Sequence, residues 1–183
     1  MTEQARTSRV LIGLIVSMTI GAVVLMALDK GAVQGGPFSL AAYLSNDSVD
    51  KVAFEGLTSS PGQWRRIEVY YSQTTRGNVQ ELETLNRLSK GHDLNAHFVI
   101  CNGQGGKEGE IERTNRWLLQ QPCLPGDTWS GSMDTIRICV VADGVGQMPT
   151  ECQMARSREL VKTLCKEARI NRNMVAWPAN WRM

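Results

Sequence analysis

Apolar positions along this chain fall into two regimes. The first is one block. Val10 to Leu28 reads VLIGLIVSMTIGAVVLMAL, uncharged throughout and about as long as a helix must be to cross the hydrocarbon core of a bilayer. Arg6 and Arg9 precede the block, while Asp29 and Lys30 cancel just after it. The positive-inside bias therefore predicts a cytoplasmic tail over 1–9, a transmembrane helix over 10–28, and export of the chain from residue 29 onward. The chain would then be a single-pass protein of the cell membrane. A cleaved signal peptide would have a shorter apolar core and end in a small-x-small site; Leu25-Met26-Ala27 is a poor version of one. Gly13, Ser17 and Gly21 fall on one helical face, spacing that would let two such helices approach and self-associate.

The second regime consists of short periodic runs separated by turn residues. Residues 29–62 mix Gly, Ser, Asn and Asp with apolar patches such as Phe38 to Leu44. They read as a stalk with room for a short helix, closed by Ser59-Ser60-Pro61-Gly62. A globular domain is expected over 63–183. Ile67 to Ser72, β-branched and aromatic, predicts a strand. Asn78 followed by Glu81 predicts a helix start, and Val79, Leu82, Leu85 and Leu88 recur at helical spacing as its core face. His97 to Cys101 predicts a second strand, Asn102 to Gly106 a glycine-rich turn, and Glu110 to Glu112 the returning strand. After a loop-like stretch over 120–133, Ile136 to Ala142 is apolar at nearly every position, as a central strand would be. The capping box Thr150-x-x-Gln153 opens a last helix with Met154, Ser157, Val161, Leu164, Cys165 and Ala168 on one face. The order predicts an α/β domain, a mixed central sheet flanked by helices.

Composition narrows the functional classes. A chain of 183 residues has room for one ordinary domain and a short appendage. Its 20 basic and 18 acidic residues are interspersed, for a net charge of +2, so no run of like charge marks a nucleic-acid surface. Cys101, Cys123, Cys139, Cys152 and Cys165 all come after the apolar block, in the part where disulfides would persist. Their odd number leaves at least one outside any intrachain pair. Cys101 and Cys139 sit in apolar strand-like runs and read as buried thiols. No C-x-x-C, Gly-x-Ser-x-Gly or Walker A pattern is present. Glu108, Glu110 and Glu112 alternate beside a glycine-rich turn and read as a solvated face, since glycosidase carboxylates must oppose one another across a bond.

Four stretches occur in a telling order. They are Ile67 to Ser72 (IEVYYS), His97 to Trp117 (HFVICNGQGGKEGEIERTNRW), Ile138 to Gly144 (ICVVADG), and the last helix with Ile170-Asn171-Arg172 after it. Together they resemble zinc-dependent N-acetylmuramoyl-L-alanine amidases and peptidoglycan-recognition domains, over roughly Gln63 to Trp181. The resemblance implies peptidoglycan or a muropeptide as partner. It also implies a zinc held by two histidines and a third ligand, commonly cysteine, with a water in the fourth position.

The chain departs from that pattern where the chemistry should be. Tyr70 stands at the first ligand position, Ala176-Trp177 stands where the family has Gly-His, and no third ligand comes before Met183. The tyrosine that assists catalysis in the family is replaced by Ala96. The reading is therefore a pseudoenzyme without zinc or another cofactor. Tyr70, Tyr71, Ser72, Asn95, His97 and Trp177 are its candidate ligand contacts, unless the rings of Tyr70, Tyr71 and Trp177 simply pack as core. Two alternatives stay open. One is a divergent amidase with unusual metal ligands drawn from His92, His97, Cys123 and Asp127. The other is a structural or partner-binding envelope module whose groove is closed.

Overall fold

A computed structural model describes residues 17, 19, 48–57, 63–90, 93–126 and 129–181. The chain divides into two units, Met1–Ser39 and Leu40–Met183. In the first, only Ser17 and Thr19 are described, both helical and exposed. Apart from those two residues, the expected tail, the 10–28 span and its small-residue face lie outside the described residues. So does the Phe38 to Leu44 patch. Among the described residues, no helix is long and apolar enough to cross a membrane.

The second unit contains α1 (Val49–Leu57), β1 (Arg66–Tyr71), α2 (Val79–Lys90), β2 (Phe98–Ile100), β3 (Ile111–Arg113) and α3 (Asn115–Leu118). After these come β4 (Thr135–Val140), α4 (Glu151–Glu167), a 3-10 turn (Arg172–Met174) and β5 (Val175–Ala176). The five strands form one sheet in the order β3-β2-β4-β1-β5. Of these strands, only β2 and β3 pair antiparallel. They are joined by the glycine-rich turn, whereas the parallel pairs β1–β4, β2–β4 and β1–β5 require longer crossovers. The expected mixed sheet with flanking helices is thus present. Its central strand is β4, buried at all six positions, as a strand with neighbours on both edges and cover on both faces must be.

Alternation along the strands sorts the core into two layers of unequal depth. Ile67 and Val69 of β1, Phe98 and Ile100 of β2, and Ile136, Ile138 and Val140 of β4 share the larger layer with Leu160, Val161 and Leu164 of α4. Val99, Cys101, Cys139 and Val141 face the other way, with Leu82, Leu94 and Ala96. Two expectations change at this level. Val49, Val52 and Ala53 of α1 belong to the larger layer and α1 packs on α4, so the globular unit reaches back to Val49 instead of starting at Gln63. In α2, Leu82 is buried and Val79 partly so, but Leu85 and Leu88 are 48% and 82% exposed. The smaller layer offers apolar surface only to the first turn of α2, and the rest of the expected face has nothing to cover.

Helix starts match the sequence closely. Asn78 Oδ1 accepts from the Glu81 N–H at 2.9 Å, and Glu112 of β3 accepts from Val79 N–H at 2.7 Å. Both engage N–H groups that the first turn leaves without intrahelical partners. In α4, Gln153 N–H donates to Thr150 Oγ1 and Thr150 N–H to Gln153 Oε1, completing the capping box. Gln153 goes further. Fully buried, its Nε2 donates to Ile100 O and Val141 O, both at 3.0 Å, and so ties α4 to the ends of β2 and β4.

Candidate functional site

Tyr70 and Tyr71 are consecutive in β1, so their side chains leave opposite faces of the sheet. The structure accordingly places Tyr70 against the smaller layer and Tyr71 against the larger. The six candidate contacts therefore do not converge on one groove.

On the Tyr70 side, a guanidinium dominates. Arg137, the one charge in β4 and only 6% exposed, lies 4.0 Å above the Tyr70 ring and 4.5 Å from the Trp129 ring. Its Nε donates to Glu68 Oε2 at 2.9 Å, its strand-register partner, and its Nη1 to Asn95 O at 2.6 Å. A cation over an aromatic face is attracted by the ring quadrupole, so the stack also fixes both rings. Tyr70 Oη donates to Asn95 O at 3.4 Å. Removal of that phenol from water, with Cys139 close by, pushes its pKa well above the usual tyrosine value.

His97 is fully buried beside the stack. Its Nδ1 accepts from the Arg137 backbone N–H at 2.9 Å, which makes Nε2 the protonated nitrogen and directs it to Gln121 O at 3.0 Å. Trp64 and Trp117 meet the ring edge-on, at 4.8 and 5.9 Å between centroids. Burial depresses its pKa to about 4, so the imidazole is neutral near pH 7. Cys123 Sγ lies 3.5 Å from Nδ1, yet burial pushes this thiol up to about 12. The pair is a neutral contact and not an activated thiolate.

The remaining candidates on this side are structural. Asn95 uses both side-chain atoms on the backbone of Leu124, donating at 2.8 Å and accepting at 3.0 Å. Ser72 Oγ meets Thr74 Oγ1 at 2.8 Å and accepts from the N–H groups of Thr74 and Ala142, each at 3.2 Å. Ala96 has no exposed surface.

The residues around Tyr70 do not fit the zinc that the family resemblance implies. A fixed cation already covers Tyr70, which the resemblance would put at the first ligand position, and both His97 nitrogens are held by backbone groups. Among the described residues, no three His, Cys, Asp or Glu side chains are grouped to hold a metal; His92 and Asp127 lie outside them. All five cysteines are buried, and none forms a disulfide.

The Tyr71 side is a half-open aromatic ledge. Tyr71 Oη donates to Asn180 Oδ1 at 2.8 Å, its ring stacks on Trp181 at 6.3 Å, and Trp177 lies 5.3 Å from Trp181. Gly144 presses against Tyr71 so closely that a Cβ there would sit 2.4 Å from the ring, and its φ of +77° is itself a glycine conformation. Beyond it, Asp143 Oδ1 accepts from the N–H groups of Val145 and Gln147. The loop so formed leaves Val145 and Met148 exposed. Asn180 Nδ2 donates to Gly144 O at 3.2 Å and joins the loop to the ledge.

A third feature carries none of the candidate contacts. A cleft of about 310 Å³ runs along the β1–β5 edge, lined among others by Arg66, Trp129, Ser132, Thr135, Asn173 and Met174. The sequence pattern gives no notice of Trp129, Trp181 or Asn180. Arg137 alone leaves a signal there, a single charge inside the apolar run IRICVV.

Fold and site together define a mixed α/β domain in which Tyr70, Asn95 and His97 are packed and hydrogen-bonded side chains. No family model matches the chain, and no curated protein matches it.

Proposed function

We propose that this chain is a membrane-anchored, exported amidase-like domain that binds peptidoglycan or muropeptides without hydrolysing them. One observation carries the reading. Tyr71 and Trp177 stay half-buried over the buried Trp181, beside the exposed Asn180 amide, while the Tyr70 hydroxyl and both His97 nitrogens are taken up by hydrogen bonds to backbone. Aromatic faces with an adjacent amide suit sugar rings and peptide stems. Residues 10–28 would hold the domain at the envelope surface where such a polymer lies.

Retention on insoluble sacculi tests it. The full chain in detergent is expected to co-sediment with sacculi without releasing soluble muropeptides, and Trp177→Ala is expected to weaken retention about tenfold, as loss of one aromatic anchor does. Stoichiometric zinc in the purified chain, with chelator-sensitive release of muropeptides, would instead establish the divergent amidase. The Arg137 stack favours a rival, the partner-binding module with a closed groove. Absence of retention, unchanged by Trp177→Ala, would decide for it.

A further inference from the structure

The cleft beside β5 gathers several unpartnered polar side chains around one buried hydroxyl-bearing residue, Thr135. Arg66, Ser132, Thr135 and Asn173 line it, and among the described residues none of their side chains has a hydrogen-bond or ion-pair partner. Thr135 is only 4% exposed and lines the cleft, so its unpartnered hydroxyl is reached by water or a ligand only from there. Register brings the set together. Arg66 is the strand partner of Thr135, Thr135 N–H donates to Ser132 O at 3.0 Å, and the 3-10 turn carrying Asn173 leads into β5, which pairs with β1.

The walls are apolar and one of them is rigid. Trp129 is pinned between the backbone at Gly131, where a Cβ would fall 2.2 Å from the indole, and the Arg137 guanidinium. Met174 and Val175 line the cleft as well. Charge is the deciding term. Glu68 also lines the cleft, but its carboxylate is paired with Arg137 at 2.9 Å. Arg66 is thus left as the cation with open donors, joined by two hydroxyls and one amide that can also donate. An array rich in donors, with one guanidinium and apolar walls, selects a carboxylate attached to a small aliphatic group. The volume is at the lower end for ligand sites and suits one or two residues. On its outer side, β5 is an edge strand, available for main-chain pairing with an extended segment.

The geometry points to this cleft as a binding site for the C-terminal carboxylate of a short aliphatic peptide. The site shares no residue with the aromatic ledge, so it stands or falls separately from the binding proposed there. The probes are N-acetyl-alanyl-alanine, the same dipeptide as its C-terminal amide, and inorganic phosphate, each titrated onto the full chain in detergent by calorimetry. The acid is expected to bind, with the amide and the Arg66→Gln variant each about tenfold weaker, since each removes one half of a charge-assisted pair. Met174→Trp, which fills the cleft, is expected to abolish binding, while Trp177→Ala on the ledge leaves it unchanged. Equal binding of acid and amide, indifference to Arg66→Gln, or phosphate binding as tightly as the acid would overturn the assignment.

Discussion

The surroundings of Tyr70 and the cleft beside β5 adjoin each other through Glu68 and Trp129, yet they are opposites. Around Tyr70, the polar groups of Arg137, Glu68, Asn95 and His97 are engaged internally. Arg137 holds Glu68 and Asn95 while lying against two rings, and His97 uses both nitrogens on backbone. Along β5, four polar side chains face the cleft without partners among the described residues. Residue types that look chemical in a sequence can thus be the interior fastening of a fold, and plain ones such as Ser132 and Asn173 can be what remains available to a ligand.

Substitutions break this comparison in graded ways. Arg137→Ala should be the most damaging, because it strands the Glu68 carboxylate and releases two rings. Removal of one partner from a buried pair costs about 3–5 kcal/mol, and with Glu68 partly exposed the lower figure is expected from urea unfolding. A loss below about 1 kcal/mol would mean that the stack is incidental. Acid comes next. The pKa of His97 is about 4 in the fold against about 6.5 in an unfolded chain, so the unfolded state binds the extra proton first. Its contribution is therefore complete above pH 6.5 and declines as pH falls from 6.5 to 4, by about 3 kcal/mol in all. His97→Gln should flatten that window in a pH series of unfolding curves; an unchanged slope would show that His97 is not the titrating group.

Gln153→Ala should cost about 2 kcal/mol, from the lost cap and two carbonyls left without their donor. Gln153→Glu, which keeps an acceptor for the cap but removes both amide hydrogens, separates the two contributions. Arg66→Gln sits at the far end. Unfolding should move by less than about 0.5 kcal/mol, as for an ordinary surface change, even where dipeptide binding falls. A large destabilisation there would show that Arg66 is a fastening too, and the contrast between the two regions would disappear.

Legibility in the sequence tracks the range of the interactions. The start of α4 is readable because Thr150 and Gln153 are three residues apart, and β4 because nearly every position is apolar. The leucines of α2 show the limit of periodicity: it gives a helix a face, and nothing in the α2 sequence says that the opposing layer is too small to cover Leu85 and Leu88. Helix α1 reads as stalk because its apolar residues are few and interleaved with charge, although α4 supplies a surface for Val49, Val52 and Ala53. Tyr70 and Tyr71 can be separated by the period of a strand alone. The Arg137 stack cannot be foreseen in that way, since Glu68 reaches it across strand register, and Trp129 and Asn95 reach it from loops. The cleft depends on the pairing of β5 with β1, between segments about a hundred residues apart.

Five thiols buried in the native fold, among them members of both core layers, make the domain its own clock. A water-soluble alkylating reagent must wait for each neighbourhood to open, so each labelling rate reports how often it does. Cys101 and Cys139 would time the smaller layer and Cys165 the larger. If the two layers open together, the traces coincide; if the thin side breathes alone, its pair is labelled first.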